Sequence, residues 1–229
     1  MEGYTVHTIE RKDAIPWIKL KHYARRIPSI TNSYGLIHNS TVVGVCTYGM
    51  PPAKMDVGEP LRELTRLILD ESEDRKNLLS WFVSSTLHLL PKPLIVVSFA
   101  DPNQGHYGYI YQATNWVYTG TSQKGGKDGV WFMNGRGYHS RTITEKLIRQ
   151  WYRGYDSNKG MRDNWKAAGG TISEPLTKHR YFITVGNKRD RKRLTLRLSC
   201  LYEFLPYPKG ESKRYDTSAE FSKQVQMFD

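Results

Sequence analysis

The sequence has little of several things, and each scarcity excludes something. Only two cysteines occur in 229 residues, Cys46 and Cys200. Both sit in apolar, strand-like stretches and read as small buried hydrophobes. No C-x-x-C or H-x-x-x-H spacing exists, so no structural zinc site is expected, although the seven scattered histidines leave open an iron or zinc site assembled by spatial convergence. No apolar run approaches the roughly 18 residues a membrane helix needs. The first residues, MEGYTVHTIERKD, lack the basic-then-apolar layout of a signal peptide. A cytoplasmic protein with no membrane partner is therefore expected.

What the chain does have is length, a balanced composition and an uneven charge. With 38% hydrophobic and 24% charged residues it reads as globular, either one large domain or a core with an elaborated extension. The formal net charge is +12. Residues 1–135 hold 14 basic and 12 acidic residues, whereas 136–214 hold 19 and 7. Solvated surface ordinarily mixes the signs along a chain. A field of one sign over one third of it points to a polyanion partner, with double-stranded DNA the leading candidate and a merely basic solvated face the alternative.

The pattern predicts an α/β fold with a mixed sheet. An amphipathic helix is expected over 15–30, then a hairpin of strands Ser33–His38 and Thr41–Tyr48, an irregular loop over 49–60, and a strand at Leu61–Leu69. That strand is read as simple alternation, with Leu61, Glu63, Thr65, Leu67 and Leu69 on one side. A helix over Asp74–Leu90, capped by Ser72, leads to Leu94–Phe99, an almost wholly apolar run of the kind that fills a strand covered on both faces. A short helix is expected from about His106 to Trp116, then a strand at Val130–Met133. Thr142 to Glu145 reads as a capping box opening a helix that closes at Gly154, and 155–173 reads as a loop or lid. His179–Val185 and Leu194–Tyr202 read as two strands of a β-hairpin whose tip carries five basic residues, Lys188, Arg189, Arg191, Lys192 and Arg193. The expected organisation is a catalytic core over 1–135, a basic DNA-binding elaboration of helix plus β-hairpin over 136–214, and a loosely ordered tail over 215–229.

The densest chemistry lies between Ser98 and Tyr118, SFADPNQGHYGYIYQATNWVY. An apolar strand delivers Ser98 and Asp101 to its end, where α/β folds place ligands. Gly105 and Gly108 permit close backbone approach, and a helix then presents His106, Tyr107, Tyr111, Gln112, Asn115 and Trp116. Asp101 before Pro102 is also a plausible helix cap, so cap and catalyst both remain open for it on local grounds.

This stretch resembles the signature of the Mom family of phage DNA-modification proteins. Leu64-Thr-Arg66-Leu67 and His139-Ser-Arg141-Thr142 support the resemblance, which spans roughly residues 20–200. It implies a divergent GNAT acyltransferase fold and conversion of adenine in DNA to N6-(carbamoylmethyl)adenine, which shields phage DNA from restriction. Adenine N6 is a poor nucleophile because its lone pair is delocalised into the ring. A carboxylate accepting a hydrogen bond from N6–H raises its reactivity, and Asp101 matches that motif position. Tyr111 is then the candidate acid or else a ligand-orienting hydroxyl, Arg66 the holder of a donor phosphate or a surface ion-pair partner, and Ser98 the group orienting the donor carbonyl or a simple strand-end hydroxyl. His106 and Gln112 are candidates to read the base edge. Reaching N6 calls for base flipping, with Tyr107, Trp116 or Tyr118 as stacking walls. His139, Arg141, Lys178, Arg180 and the basic hairpin tip are candidates for phosphate contacts.

One departure from the GNAT pattern concerns the donor. Where those enzymes place a glycine-rich loop for the pyrophosphate of acetyl-CoA, this chain has Asp70-Glu-Ser-Glu-Asp-Arg-Lys-Asn77, with no glycine and four acids. The resemblance implies acetyl-CoA. The loop argues for a different donor, and an aminoacyl-tRNA such as glycyl-tRNA suits both the product and the positive charge. Two other functional readings remain: a GNAT-like acyltransferase acting on RNA or a small molecule, and a non-catalytic DNA-binding protein.

Overall fold

A computed structural model describes residues 1–52, 54–102, 105–122, 130–139, 143–173 and 177–210. The chain forms two compact units, Met1–Thr121 with Lys178–Asp229, and Ser122–Thr177. The first contains β1 (Tyr4–Thr8), α1 (Arg11–Lys21), β2 (Asn32–His38), β3 (Thr41–Gly49), β4 (Leu61–Leu69), α2 (Leu78–Leu89), β5 (Leu94–Ala100), α3 (Tyr109–Ala113) and β6 (Val117–Thr121). The second contains β7 (Val130–Met133), β8 (Arg136–His139), α4 (Glu145–Trp151), α5 (Met161–Ala167) and β9 (Thr171–Ile172), after which β10 (His179–Val185) and α6 (Lys188–Leu201) return to the first.

The main sheet has the order β1-β2-β3-β4-β5-β10-β6. Every neighbouring pair is antiparallel except β4 and β5. The mixed α/β class read from the sequence is the one observed. Central β5 is apolar because both its faces are covered. Val96 packs with Leu78, Phe82 and Val83 of α2. Ile95 and Val97 pack with Leu194 and Leu198 of α6. Farther along the sheet, Trp17 and Ile18 of α1 cover Val45 and Ile68.

Several elements differ from expectation for local physical reasons. β4 does not alternate simply, because its pairing with β3 shifts register between Thr47 and Tyr48, opposite Arg66 and Leu64. The bulge flips the sides, so that Leu64, Leu67 and Leu69 all contribute to the α2-side core. α1 starts earlier than expected, at Arg11, and ends at Lys21, with Pro16 in its interior. α2 starts only at Leu78, because Asn77 takes a left-handed conformation with φ 64°. Ser72 does not cap it and instead donates to Asp70 Oδ1 at 2.8 Å.

The largest correction concerns the C-terminal basic segment. Lys188–Leu201 is a helix, not the tip and second strand of a hairpin. Asn187 caps it by accepting from Asp190 N at 2.9 Å. Cys200 lies exposed on this helix, whereas Cys46 is buried as expected. β10 and α6, expected in a C-terminal elaboration, belong to the same compact unit as the core, and only 122–177 separates.

That second unit has its own core of Trp131, Met133, Ile143, Ile148 and Trp165. Thr144, not Thr142, caps α4, accepting from Leu147 N at 3.2 Å. The stretch read as a loop contains α5 and β9, tied by buried Asn164, whose amide joins Asp156, Lys159 and Gly160. The expected tail over 215–229 lies outside the described residues.

Candidate active site

The site is built where β4 and β5 part. Their parallel pairing runs from Leu61 opposite Ile95 to Glu63 opposite Val97 and stops there, although both strands continue. At the next position the Ser98 hydroxyl takes over from the ladder and donates to Leu64 O at 3.1 Å. Ser98 Oγ also lies 2.7 Å from the Tyr111 hydroxyl. Ser98 has one proton, so with that proton on Leu64 O its oxygen accepts from Tyr111. Burial raises the Tyr111 pKa, with Tyr23, Cys46 and Glu63 adding to the shift and the Ser98 hydrogen bond opposing it. Tyr111 therefore keeps its proton across the physiological range.

Asp101 follows the last residue of β5 and is buried. Its Oδ2 lies 3.0 Å from Lys178 Nζ, just before β10. Ala100 and His179 are register partners, so the ion pair closes the ends of two neighbouring strands one residue beyond their pairing.

Two residues that sequence reasoning missed complete the cluster, His22 and Tyr23, at the end of α1. Burial drives His22 down to about 2, and the nearby charges of Arg66, His106 and Lys178 push the same way. His22 Nδ1 accepts from Ala24 N at 3.0 Å, which places the proton of this neutral ring on Nε2. Burial and the Asp101 carboxylate push Tyr23 up to about 12, opposed by Arg66. The Tyr23 and His106 rings meet edge-on at 5.7 Å, and those of His22 and Tyr23 lie 4.3 Å apart. The only local signal was a pair of adjacent, chemistry-bearing rings in a helical stretch. Their shared surroundings arise from tertiary packing.

Of the predicted residues, the fold brings Ser98 together with Tyr111, and Asp101 together with Lys178. Arg66 and His106 join them through His22 and Tyr23. Arg66 also donates to Thr65 O at 2.6 Å and Arg26 O at 2.8 Å, so much of its guanidinium braces backbone. Other candidates serve the fold. Gln112 Nε2 lies 3.2 Å from Tyr107 O, 3.2 Å from the Tyr181 hydroxyl and 3.3 Å from Pro208 O, acceptors that share its two protons, so the amino group expected to read a base edge is taken up within the fold. Trp116 is fully buried and Tyr118 is 8% exposed, so neither offers a face for a base to stack on. The Tyr118 hydroxyl instead lies 3.0 Å from His179 Nδ1. Tyr107 is half-buried, its ring facing Gly210. Arg180, read as a phosphate contact, donates to Thr119 Oγ1 and Thr119 O, both at 2.9 Å, and covers the Tyr202 ring.

Lys188, Arg189, Arg191, Lys192 and Arg193 are all exposed on α6, and Arg193 is paired with Glu59. His139 ends β8 in the second unit, and Arg141 lies outside the described residues.

A second feature absent from the sequence reading is a strap over α3 and β6. Leu205 N donates to Tyr118 O at 2.9 Å, the Tyr207 hydroxyl to Trp116 O at 2.8 Å, and Gly210 N to the Tyr109 hydroxyl at 3.1 Å. It fixes the helix that carries Tyr111.

The loop before α2 also changes meaning. Asp70 pairs with Lys21 at 2.6 Å. Glu73 accepts from the Tyr4 hydroxyl at 2.5 Å and lies 3.0 Å from His38 Nδ1. Two of the four acids thus have partners inside the fold, and Asn77 supplies the left-handed turn that a glycine otherwise would. Asn77 makes no side-chain cap, and Arg75 and Lys76 are exposed beside it. Glu71 and Asp74 are exposed there too, and Arg75 donates to Glu2 O at 2.8 Å, so the uncapped helix start offers a phosphate both cations and acids. Among the described residues, no group of three or more His, Cys, Asp or Glu is placed to hold a metal ion. Among them, too, no helix is long and apolar enough to cross a membrane.

The sequence model of the Mom protein family matches residues 3–209. The chain belongs to the Mom protein family. One Mom relative, the "Methylcarbamoylase mom" of Escherichia phage Mu, is 30% identical over 206 residues, covering 84% of this chain and 78% of that protein. Among solved structures, a GNAT family acetyltransferase from Elizabethkingia anophelis with acetyl-CoA bound is 14% identical, covers 61% of this Mom-family chain and 94% of its own, and gives a TM-score of 0.40. A GNAT family acetyltransferase from Bacillus cereus is 9% identical, covers 80% and 97%, and gives 0.41. At such scores the likeness carries over no side chain and no ligand.

Proposed function

We propose that this chain is a transferase that modifies adenine N6 in DNA by adding a carbamoylmethyl group, protecting that DNA from restriction. The observation that carries the reading is the Asp101 carboxylate, fixed by Lys178 at 3.0 Å at the open end of β5, in a Mom-family chain. The methylcarbamoylase activity for which the phage Mu relative is named supports it.

In this reading the adenine N6–H donates to Asp101, which takes up the proton as N6 bonds to the carbonyl carbon of the donor and the bond to the departing group breaks. Lys178 sets the orientation of the carboxylate. Tyr111, kept protonated by burial and held by Ser98, is the proton donor to the departing group. His22 stays neutral and adds no further positive charge beside Arg66 and Lys178. Target adenine has to leave the duplex stack to reach this cluster. Tyr23, about a third exposed, is better placed than Trp116 or Tyr118 to meet it.

The donor in this reading is of the acyl-CoA class. Its phosphates would be held at the start of α2, by the first backbone N–H groups together with Arg75 and Lys76. The bound donor would supply a glycyl-type acyl group on a thiol leaving group; attack by N6 would break the C–S bond and give an N6-glycyl adenine, an isomer of the carbamoylmethyl product that needs a further rearrangement to join N6 to the methylene carbon. The pairing of Asp70 and Glu73 within the fold removes two of the four acids from the charge objection to a phosphate there, and exposed Glu71 and Asp74 remain. Purified protein, DNA and either an acyl-CoA or glycyl-tRNA decide the donor: product with the tRNA alone replaces this part of the reading. Nucleoside mass spectrometry of DNA from cells expressing the protein tests the substrate. A carbamoylmethyl-modified deoxyadenosine is expected, and its absence alongside modified RNA would move the activity to RNA.

A further inference from the structure

The basic residues of α6 sit at the opposite end of the sheet from Asp101. β10 begins with His179 opposite Ala100, beside the site, and ends with Val185 opposite Leu94. α6 starts three residues later, so its first turns lie one strand length from the site. Seven residues of β5 at about 3.3 Å each make that roughly 20 Å.

Leu194 and Leu198 are buried against the sheet. With that face inward, helical spacing turns Lys188, Arg189, Lys192, Arg193 and Leu196 outward. All five are exposed, Leu196 to 66%. Lys92, two residues before Leu94, is exposed at the same end. Glu59 pairs with Arg193, and Asp190 is the one acid within the helix. Cations in the opening turns of a helix oppose its macrodipole, so the fold gains nothing by holding them there. Such a local conflict is expected where a surface serves a partner.

We propose that this outward face of α6 binds the phosphate backbone of the substrate duplex at a distance from the modified base, a placement that rests on the reading of DNA as substrate. With one base pair per 3.4 Å of axis, roughly 20 Å corresponds to about six base pairs between the target adenine and the phosphates held by α6. The site and the α6 face are then two contacts on one duplex, and affinity depends on duplex length.

The test compares the parent with the triple variant Lys188→Gln, Arg189→Gln, Lys192→Gln. Binding is measured against salt on duplexes of about 24 and about 8 base pairs, each with a central target adenine, the shorter having arms too short to reach α6. On the longer duplex the variant is expected to bind at least tenfold more weakly, with a slope of log affinity against log salt shallower by roughly two to three. On the shorter one the two proteins are expected to agree within about twofold. Because the substitutions remove charge that opposes the helix dipole, the variant is expected to melt no lower than the parent, which separates lost contact from lost fold. Equal slopes on the longer duplex, or equal losses on both lengths, overturn the proposal. Loss of affinity for a hairpin RNA with duplex affinity intact overturns DNA as the occupant. If no modified adenine forms in cells but the length dependence is found, the proposed chemistry fails and the docking face stands.

Discussion

Lys178 Nζ lies 3.0 Å from Asp101 Oδ2, one residue beyond the register pair of Ala100 and His179. The ion pair thus clamps the end of β5 to Lys178, the residue at which the chain re-enters the first compact unit ahead of β10. In the proposed reaction this bond orients the proton acceptor, and it also ties the ends of two neighbouring strands, so its removal is expected to affect both chemistry and fold.

Replacing Lys178 with Met leaves a mostly buried carboxylate without its ammonium. Lys178 itself is partly exposed, so the stability cost falls between that of surface and buried pairs, about 1–2 kcal/mol. Modification is expected to drop by at least tenfold. Lys178→Arg restores the charge and most of the stability, but the broader guanidinium changes the carboxylate's angle and recovers activity only in part. Urea melts and the yield of modified deoxyadenosine check both. Equal activity in parent and Met variant would contradict a positioning role.

Ser98 and Tyr111 are expected to act as one unit, their hydroxyls lying 2.7 Å apart. Tyr111→Phe should lower turnover by about 10²-fold or more if that proton reaches the departing group. Ser98→Ala should cost less, and adding it to the Phe variant should cost little further. A double-mutant cycle on turnover reads the coupling directly. Additive losses would show that the two hydroxyls serve separate ends.

His22 provides a pH signature. Its folded pKa, about 2, is depressed from the ordinary 6.5, so between those values the unfolded chain binds the proton and the folded one does not. The contribution is fully present above pH 6.5 and is lost as pH falls towards 2, at up to about 1.4 kcal/mol per pH unit. His22→Gln is expected to flatten the decline in unfolding free energy between pH 7 and 5. An unchanged slope in the variant would show that His22 titrates normally in the folded protein.

Gly108 stands at φ +80°, and a Cβ there would meet the Tyr181 ring at 2.4 Å. Gly108→Ala therefore combines backbone strain with a clash against a buried ring, and should destabilise by about 2 kcal/mol or more. Because Gly108 opens α3, which carries Tyr111, activity should fall at temperatures where the variant is still folded. Differential scanning calorimetry alongside activity at low temperature separates the two effects.

The strands from β2 to β5 were legible because each is a short, apolar or alternating run between turn residues, and local pattern decides such elements. α6 was misread because Leu194, Leu196 and Leu198 alternate with polar residues as in a strand. Only Leu194 and Leu198, one helical turn apart, are buried, while Leu196 points outward. The overlooked local sign was Asn187, which caps the helix by bonding Asp190 N. The bulge in β4 was invisible because it depends on how β3 pairs, not on β4 itself. Asp101, Ser98 and Tyr111 could be singled out because one continuous stretch carries them. His22 and Tyr23 could not, since they reach Asp101 and Arg66 from the end of a helix far earlier in the chain than either. Gln112, Trp116 and Arg180 have suitable chemistry, but their bonds and burial commit them to the fold.

The central claim is that Asp101 activates adenine N6. Asp101→Asn keeps the shape of the side chain and removes its capacity to take up a proton. Nucleoside mass spectrometry on DNA from cells expressing parent or variant at equal levels, with duplex binding measured on the purified proteins, tests it most directly. The account predicts carbamoylmethyl-modified deoxyadenosine from the parent, a loss of about 10²-fold or more in the variant, and duplex affinity within about threefold of the parent. Modified deoxyadenosine at parental levels in the variant would contradict it.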